Sequence, residues 1–284
     1  MVTEEQNATA RPVNVATPPA LSEPAARRRR LPRGAATSAL SVALLIGLWW
    51  LAAVAIINDS TVLPTPDAVA RQFWTLATSG SGAQSLWVNL KASLIRVGLG
   101  WGIGVGTGIV IGVLMASNEY IRALVDPLIE LARPIPPLAY VPLLVVWFGI
   151  GETSKLILIW AATFPVMVIS TVAGIRGVDM SWQRTAVTLG ASRVQLVTKV
   201  ILPAAIPEIV TGARIASGLA WGTLVAAEIV AANSGLGYMI LQASQFLQTS
   251  TIFVGIITIG LLAFALDRSL RLVERRLAPW KGRL

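Results

Sequence analysis

The side chains able to do chemistry in this 284-residue sequence are few, and they stand inside apolar sequence. Asp126, Glu130 and Arg133 are spaced four and three residues apart, which puts them on one face of a helix; Arg214 and Glu228 share a later apolar run. There is no His and no Cys, so imidazole acid/base catalysis, thiol nucleophiles, disulfides and Cys/His zinc sites are excluded. Catalysis would rest on scattered carboxylates alone, and no catalytic constellation or metal-ligand set is expected. Nucleotide loops fare no better. The segment Gly149 to Lys155 lacks the Gly-Lys-Ser/Thr order of a phosphate loop, and no Lys-Ser or Lys-Thr follows the glycines between Gly98 and Gly112. If ATP is used, another chain hydrolyses it.

The elements that position these residues are membrane spans. Hydrophobic residues make up 55% of the chain and charged residues 13%, and mean hydropathy is +0.70. The apolar residues come in runs rather than at the spacing of an amphipathic helix. Runs lie near 38–57, 94–116, 124–148, 156–174, 209–232 and 252–266, most of them near the roughly 20 residues a helix needs to cross the hydrocarbon. The expected architecture is therefore an all-α integral membrane protein with six transmembrane helices in a lipid bilayer. The net charge of +9 does not point to nucleic acid, because the basic residues flank the runs instead of lining a face with aromatics. A secretory signal is a poor reading of the first run, which is too long and carries Trp49 and Trp50.

Charge asymmetry sets an orientation. Residues 1–26 are rich in Ala, Pro, Thr and Glu, and Arg27 to Arg30 with Arg33 follow, so 1–33 reads as a disordered basic cytoplasmic tail and 34–284 as the transmembrane domain. An even number of spans returns the C-terminus, with Arg268, Arg271, Arg275, Arg276, Lys281 and Arg283, to the same side. The loop at about 175–207 falls there too, with Arg176, Arg184, Arg193 and Lys199. Both termini are expected in the cytoplasm. On the outer side, 64–78 reads as an interfacial amphipathic helix anchored by Phe73 and Trp74.

Inside the spans, Gly100, Gly104, Gly108 and Gly112 form one small-residue stripe, and Gly98, Gly102 and Gly106 another; both suit close helix packing. Pro134, Pro136, Pro137 and Pro142 break the third span, and broken backbone at membrane depth belongs in protein or beside a wet cavity. Two readings of Glu130 and Arg133 stand there: an internal ion pair that holds the kink, or part of a gate in which Arg133 attracts an anionic solute. A mid-membrane charge costs roughly 2.5–3.5 kcal/mol on insertion scales, so Glu228 must also be paired or face water. Glu130, Arg133, Pro134, Pro136, Pro137, Trp221 and Glu228 are the candidate path or gate residues. Glu228 is expected to make a structural hydrogen bond rather than bind an anion.

The loop at 175–207 is the most structured polar segment. Asp179 and Ser181 are helix caps, and Gly190 supplies a left-handed stop. Ser192 with Gln195 is a capping box, Val194, Val197 and Ile201 recur on one face, and Pro203 is expected to end the second helix. Two short helices at an angle make a knob.

The spacing of this knob resembles the EAA signature of permease subunits of bacterial ATP-binding-cassette importers. Arg184, Thr185 and Ala186 hold its opening triplet, Gly190 its glycine, and Val200, Leu202 and Pro203 its close. Arg184 departs from the pattern, which has an acidic residue there, so no carboxylate role carries over. The stretches 126–150, 188–203 and 221–237 look like the sulfonate, nitrate and taurine branch, and 126–154 is most similar to the taurine type. The resemblance implies the type I importer permease fold with a cytoplasmic coupling-helix hairpin. Arg184, Thr185, Ala186, Gly190, Ala191, Ser192, Leu202 and Pro203 would form the ATPase-coupling surface. It further implies a homodimer, two ATPase subunits that carry ATP and Mg, and a periplasmic or lipid-anchored solute-binding protein, all at the bacterial cytoplasmic membrane. The solute would be taurine or a related small sulfonate, with aliphatic sulfonate or nitrate as the alternative. A secondary transporter would need repeated halves with ion ligands in both, and no convincing repeat is present.

Overall fold

A computed structural model describes residues 33–79 and 85–279. The expected disordered tail at 1–33 lies almost wholly outside these residues, as do Lys281 and Arg283. By internal contacts the chain falls into two units, 1–47 and 48–284. The first contributes the beginning of α1 (Arg33–Leu51). The second begins with the end of α1 and a π-helical turn at Ala52–Ile57.

α2 (Pro66–Thr78) starts with Pro at its first position and turns Val69 and Leu76 inward, leaving Phe73 and Trp74 exposed, as the interfacial reading requires. α3 (Leu86–Ser117) is the second span and starts eight residues before the expected Leu94. The reason is physical: Asn89 and Ser93, which look like loop residues in a hydropathy reading, are buried with Arg96 on one face of its first turns. α4 (Glu119–Ala132), a 3-10 turn (Pro137–Tyr140) and α5 (Val141–Phe148) make up the third apolar run, broken at its prolines as expected. The axis bends by 90° at the prolines, and two of them start new helical segments, where a missing N–H costs nothing.

α6 (Glu152–Arg176) is the fourth span. The knob helices are α7 (Met180–Thr188) and α8 (Arg193–Leu196), followed by a π-helical turn (Val197–Ile201) and α9 (Leu202–Ala231). Short α10 (Leu236–Gln245) and α11 (Thr249–Leu277) complete the chain. Among the described residues five helices are long and apolar enough to cross a bilayer, and the bent α4/α5 pair makes up to six.

Pro203 does not end the second knob helix. Helix runs unbroken from Arg193 to Ala231, over 39 residues. The Pro203 ring would collide with the carbonyl four residues back in a regular helix. The π turn immediately before it widens the register, with the Leu202 N–H reaching the Val197 carbonyl, and the ring is accommodated.

The centre of the bundle is α3 against α6 and α6 against α9. Lipid is as apolar as leucine, so this association rests on close contact and polar pairing rather than on hydrophobic transfer. Gly100, Gly104, Gly108 and Gly112 are buried, and a Cβ on each would run into Ile159, Thr163, Met167 and Thr171 of α6 in turn. Both series ascend together, so the two helices run parallel. The second stripe behaves differently: a Cβ on Gly98, Gly102 or Gly106 would meet nothing within 4 Å. Large apolar side chains such as Val146 and Leu261 stand exposed along the spans, as a lipid-facing surface requires.

Candidate coupling site and a buried charge cluster

The knob is built by its caps. Asp179 accepts the Ser181 N–H at 2.8 Å, which holds its carboxyl below the ordinary aspartate range and starts α7. At the other end Gly190, at φ +83°, donates to the Val187 carbonyl at 2.9 Å, and Ala191 donates to that of Ala186 at 3.0 Å. This pair of bonds is a Schellman motif, and it gives Ala186, Gly190 and Ala191 a common backbone role. The expected capping box is formed in both directions: Ser192 N–H to Gln195 Oε1 at 2.9 Å, and Gln195 N–H to Ser192 Oγ at 3.3 Å.

Arg184 and Thr185 are exposed on α7, where the Arg184 carbonyl accepts Thr188 Oγ1 and Thr185 Oγ1 binds the Ser181 carbonyl. Around them Met180, Trp182, Val187, Leu189 and Val194 are exposed, Leu189 at 83%. An apolar patch set on a polar, fully capped scaffold lies outside the core and is a candidate contact surface. Leu202 and Pro203 do not belong to the patch; they sit half-buried where the knob passes into α9.

The third-span candidates form no side-chain bond with one another among the described residues. Glu130 and Arg133 are both exposed and make no ion pair among the described residues, so the expected internal pair is not formed. The pair on that helix is Arg122 with Asp126, at 3.4 Å. Arg133 caps the end of α4 through its backbone, and Pro134, Pro136 and Pro137 make the bend.

Glu228 belongs to a cluster that sequence reading did not find. It is completely buried, accepts Ser93 Oγ at 2.7 Å and the Gly237 N–H at 2.8 Å, and pairs with Arg96 Nη1 at 2.8 Å. Arg96 turns its remaining edge to Glu152, Nε to Oε2 at 2.6 Å and Nη2 to Oε1 at 2.8 Å. Lys155 Nζ binds Glu152 Oε1 at 2.9 Å. Two cations and two carboxylates thus balance, with Arg96 and Glu228 at the centre. The turn after α9 is pinned to the same cluster: Asn89 Oδ1 accepts the Gly235 N–H and Ser93 Oγ accepts that of Leu236. Gly235 has φ +125°, and any side chain there would strike the Glu228 carboxylate. Asn89, Ser93 and Arg96, spaced four and three apart in an otherwise apolar run, were the available signal. Trp221 is also buried, among Val97, Ile159, Ala220 and Leu224, and its indole N–H has no partner among the described residues.

An apolar helical bundle with a capped, apolar-tipped knob is the architecture of an integral membrane protein. The chain belongs to the family described as binding-protein-dependent transport system inner membrane component, matched over residues 108–279. It is a multi-pass inner-membrane subunit of that family. It is 45% identical over 243 residues to the taurine transport system permease protein TauC of Escherichia coli K12, covering 85% of this chain and 88% of that one. It is 38% identical over 240 residues to the putative aliphatic sulfonates transport permease protein SsuC of Bacillus subtilis 168, covering 84% and 86%. The inward-facing MetNI methionine ABC transporter has the same fold, with a TM-score of 0.51 at 21% identity over 68% of this chain and 99% of that one.

Proposed function

We propose that this chain passes taurine or a related small sulfonate across the cytoplasmic membrane, driven by separate ATPase subunits and fed by a solute-binding protein. The observation that carries the solute is the 45% identity to TauC along nearly the whole length of both chains. The observation that supports coupling is the knob, whose exposed Trp182, Val187, Leu189 and Val194 offer an ATPase a rigid apolar grip. Arg184, Thr185, Ala186, Gly190, Ala191 and Ser192 form that grip, and Leu202 and Pro203 connect it to α9. ATP and Mg belong to the partner ATPase.

In this reading two copies enclose the path, the knobs and both termini lie in the cytoplasm, and the bend at Glu130, Arg133, Pro134, Pro136 and Pro137 borders the path. Trp221 and Glu228 act from behind, by holding α3, α6 and α9 in register. ATP-driven closure of the ATPases moves the knobs and turns the path from inward to outward facing, so that loaded binding protein can release its solute. The test is competitive uptake of labelled taurine, alkanesulfonate and nitrate into vesicles that hold all subunits. Taurine should compete most strongly and uptake should need ATP. Uptake that persists without ATP, or that nitrate alone competes for, rejects the reading.

A further inference from the structure

Where α9 and α11 leave the apolar zone at the knob end of the bundle, they enclose a recess of about 320 Å³ lined by Arg214, Arg271, Glu274, Arg275, Ala278 and Pro279. Three guanidiniums surround it. Asp267 accepts Arg214 Nε and Arg271 Nε, each at 2.8 Å, and Glu274 Oε2 lies 3.6 Å from Arg214 Nη1. These bonds fix the planes of Arg214 and Arg271 while leaving the Nη2 of Arg214 and both Nη of Arg271 without a hydrogen-bond partner among the described residues. Arg275 has no ion pair or hydrogen bond there either. The recess therefore holds an excess of oriented donors suited to a phosphate group.

Its position identifies the source of that phosphate. α11 carries no charged residue from Thr249 to Leu266, and the recess begins in the turns directly beyond. Ile257, Leu261 and Phe264 are exposed and spaced four and three apart, and the same alternation continues through Arg268 and Arg271 to Arg275. One helical face thus presents an open apolar strip that ends in guanidiniums. A soluble phosphate would use the cations alone. A phospholipid uses both, with an acyl chain along Phe264 and Leu261 and the headgroup in the recess.

We propose that this recess is a binding site for the phosphate of an anionic phospholipid. The inference rests on the membrane placement of α9 and α11, not on which solute is carried. The test is native mass spectrometry of the full chain purified with its co-expressed subunits in mild detergent, titrated with phosphatidylglycerol, phosphatidylethanolamine and inorganic phosphate. Phosphatidylglycerol should be retained under activation that strips phosphatidylethanolamine, and millimolar inorganic phosphate should not displace it. Arg271→Gln with Arg275→Gln should weaken retention at least about tenfold, while Arg71→Gln, on α2 and away from both the recess and the strip, leaves it unchanged. A thermal melt verifies that each variant is folded. Equal retention of both lipids, or of phosphatidylglycerol by the double variant, overturns the site; displacement by inorganic phosphate overturns the lipid as its ligand. The readout needs neither solute nor ATP, so either result leaves the uptake reading standing.

Discussion

Arg96 Nη1 and Glu228 Oε1 lie 2.8 Å apart with both side chains closed off from solvent, joining α3 to α9 across 132 residues of sequence. Removing one partner strands a buried charge, a loss of about 3–5 kcal/mol, whereas removing both is far milder. Arg96→Met should therefore lower the thermal midpoint of the detergent-solubilised protein sharply, and Arg96→Met with Glu228→Leu should restore much of it. A double-mutant cycle with no coupling between the two positions would show that the pair does not hold the helices together.

The two glycine stripes on α3 predict opposite responses. Alanine at Gly104 or Gly108 places a methyl inside Thr163 or Met167 and should cost about 1–3 kcal/mol. Alanine at Gly102 or Gly106 meets open space and, by relieving glycine's helical penalty, should stabilise the isolated chain by about 0.5–1 kcal/mol. Equal melting temperatures for Gly104→Ala and Gly102→Ala would contradict the α3/α6 packing.

Leu247 repeats the geometry of Gly190 with the wrong residue for comfort. The N–H of Gln248 reaches the Ala243 carbonyl and that of Leu247 the Ser244 carbonyl, again a Schellman motif, but the left-handed position at φ +54° is held by leucine. Its side chain is 72% exposed and gives little packing in return. Leu247→Gly should stabilise the protein by about 1 kcal/mol, seen as a higher thermal midpoint. A lower midpoint would mean that the backbone there is not strained.

Gly190→Asp should separate folding from transport. The position is open, so no neighbour is displaced, but its φ of +83° disfavours a side chain and α7 and α8 lose their fixed angle. The thermal midpoint should fall only by the few degrees that a backbone penalty of about 1–2 kcal/mol implies, while uptake per ATP hydrolysed in proteoliposomes falls several-fold. Normal coupled uptake would remove the knob from the mechanism.

Local chemistry was the part of the structure that the sequence made readable. Asp179, Gly190, Ser192 and Gln195 announce the knob because capping involves residues within five positions of one another. The glycine stripe and the proline break at 134–137 were legible for the same reason. The Arg96 cluster was not, because its partners at Glu152 and Glu228 lie 56 and 132 positions away and a hydropathy reading takes its polar residues for the end of a span. Pro203 misled through a local rule that the preceding π turn offsets. Arg133 and Glu130 misled because helical spacing permits a pair without requiring one.

The π turn at Val197–Ile201 also sets a phase. Accommodating one extra residue in a turn rotates everything beyond it by about 100° relative to an uninterrupted helix. The azimuth at which Val194 points on the knob is thus locked to the azimuth at which Ala213 and Ala216 meet α6, at the far side of that turn. If the same residues ran through Val197–Ile201 as regular α-helix, both surfaces would stay chemically intact but point about a quarter-turn out of step, so the knob and the bundle are matched in angle as well as in shape.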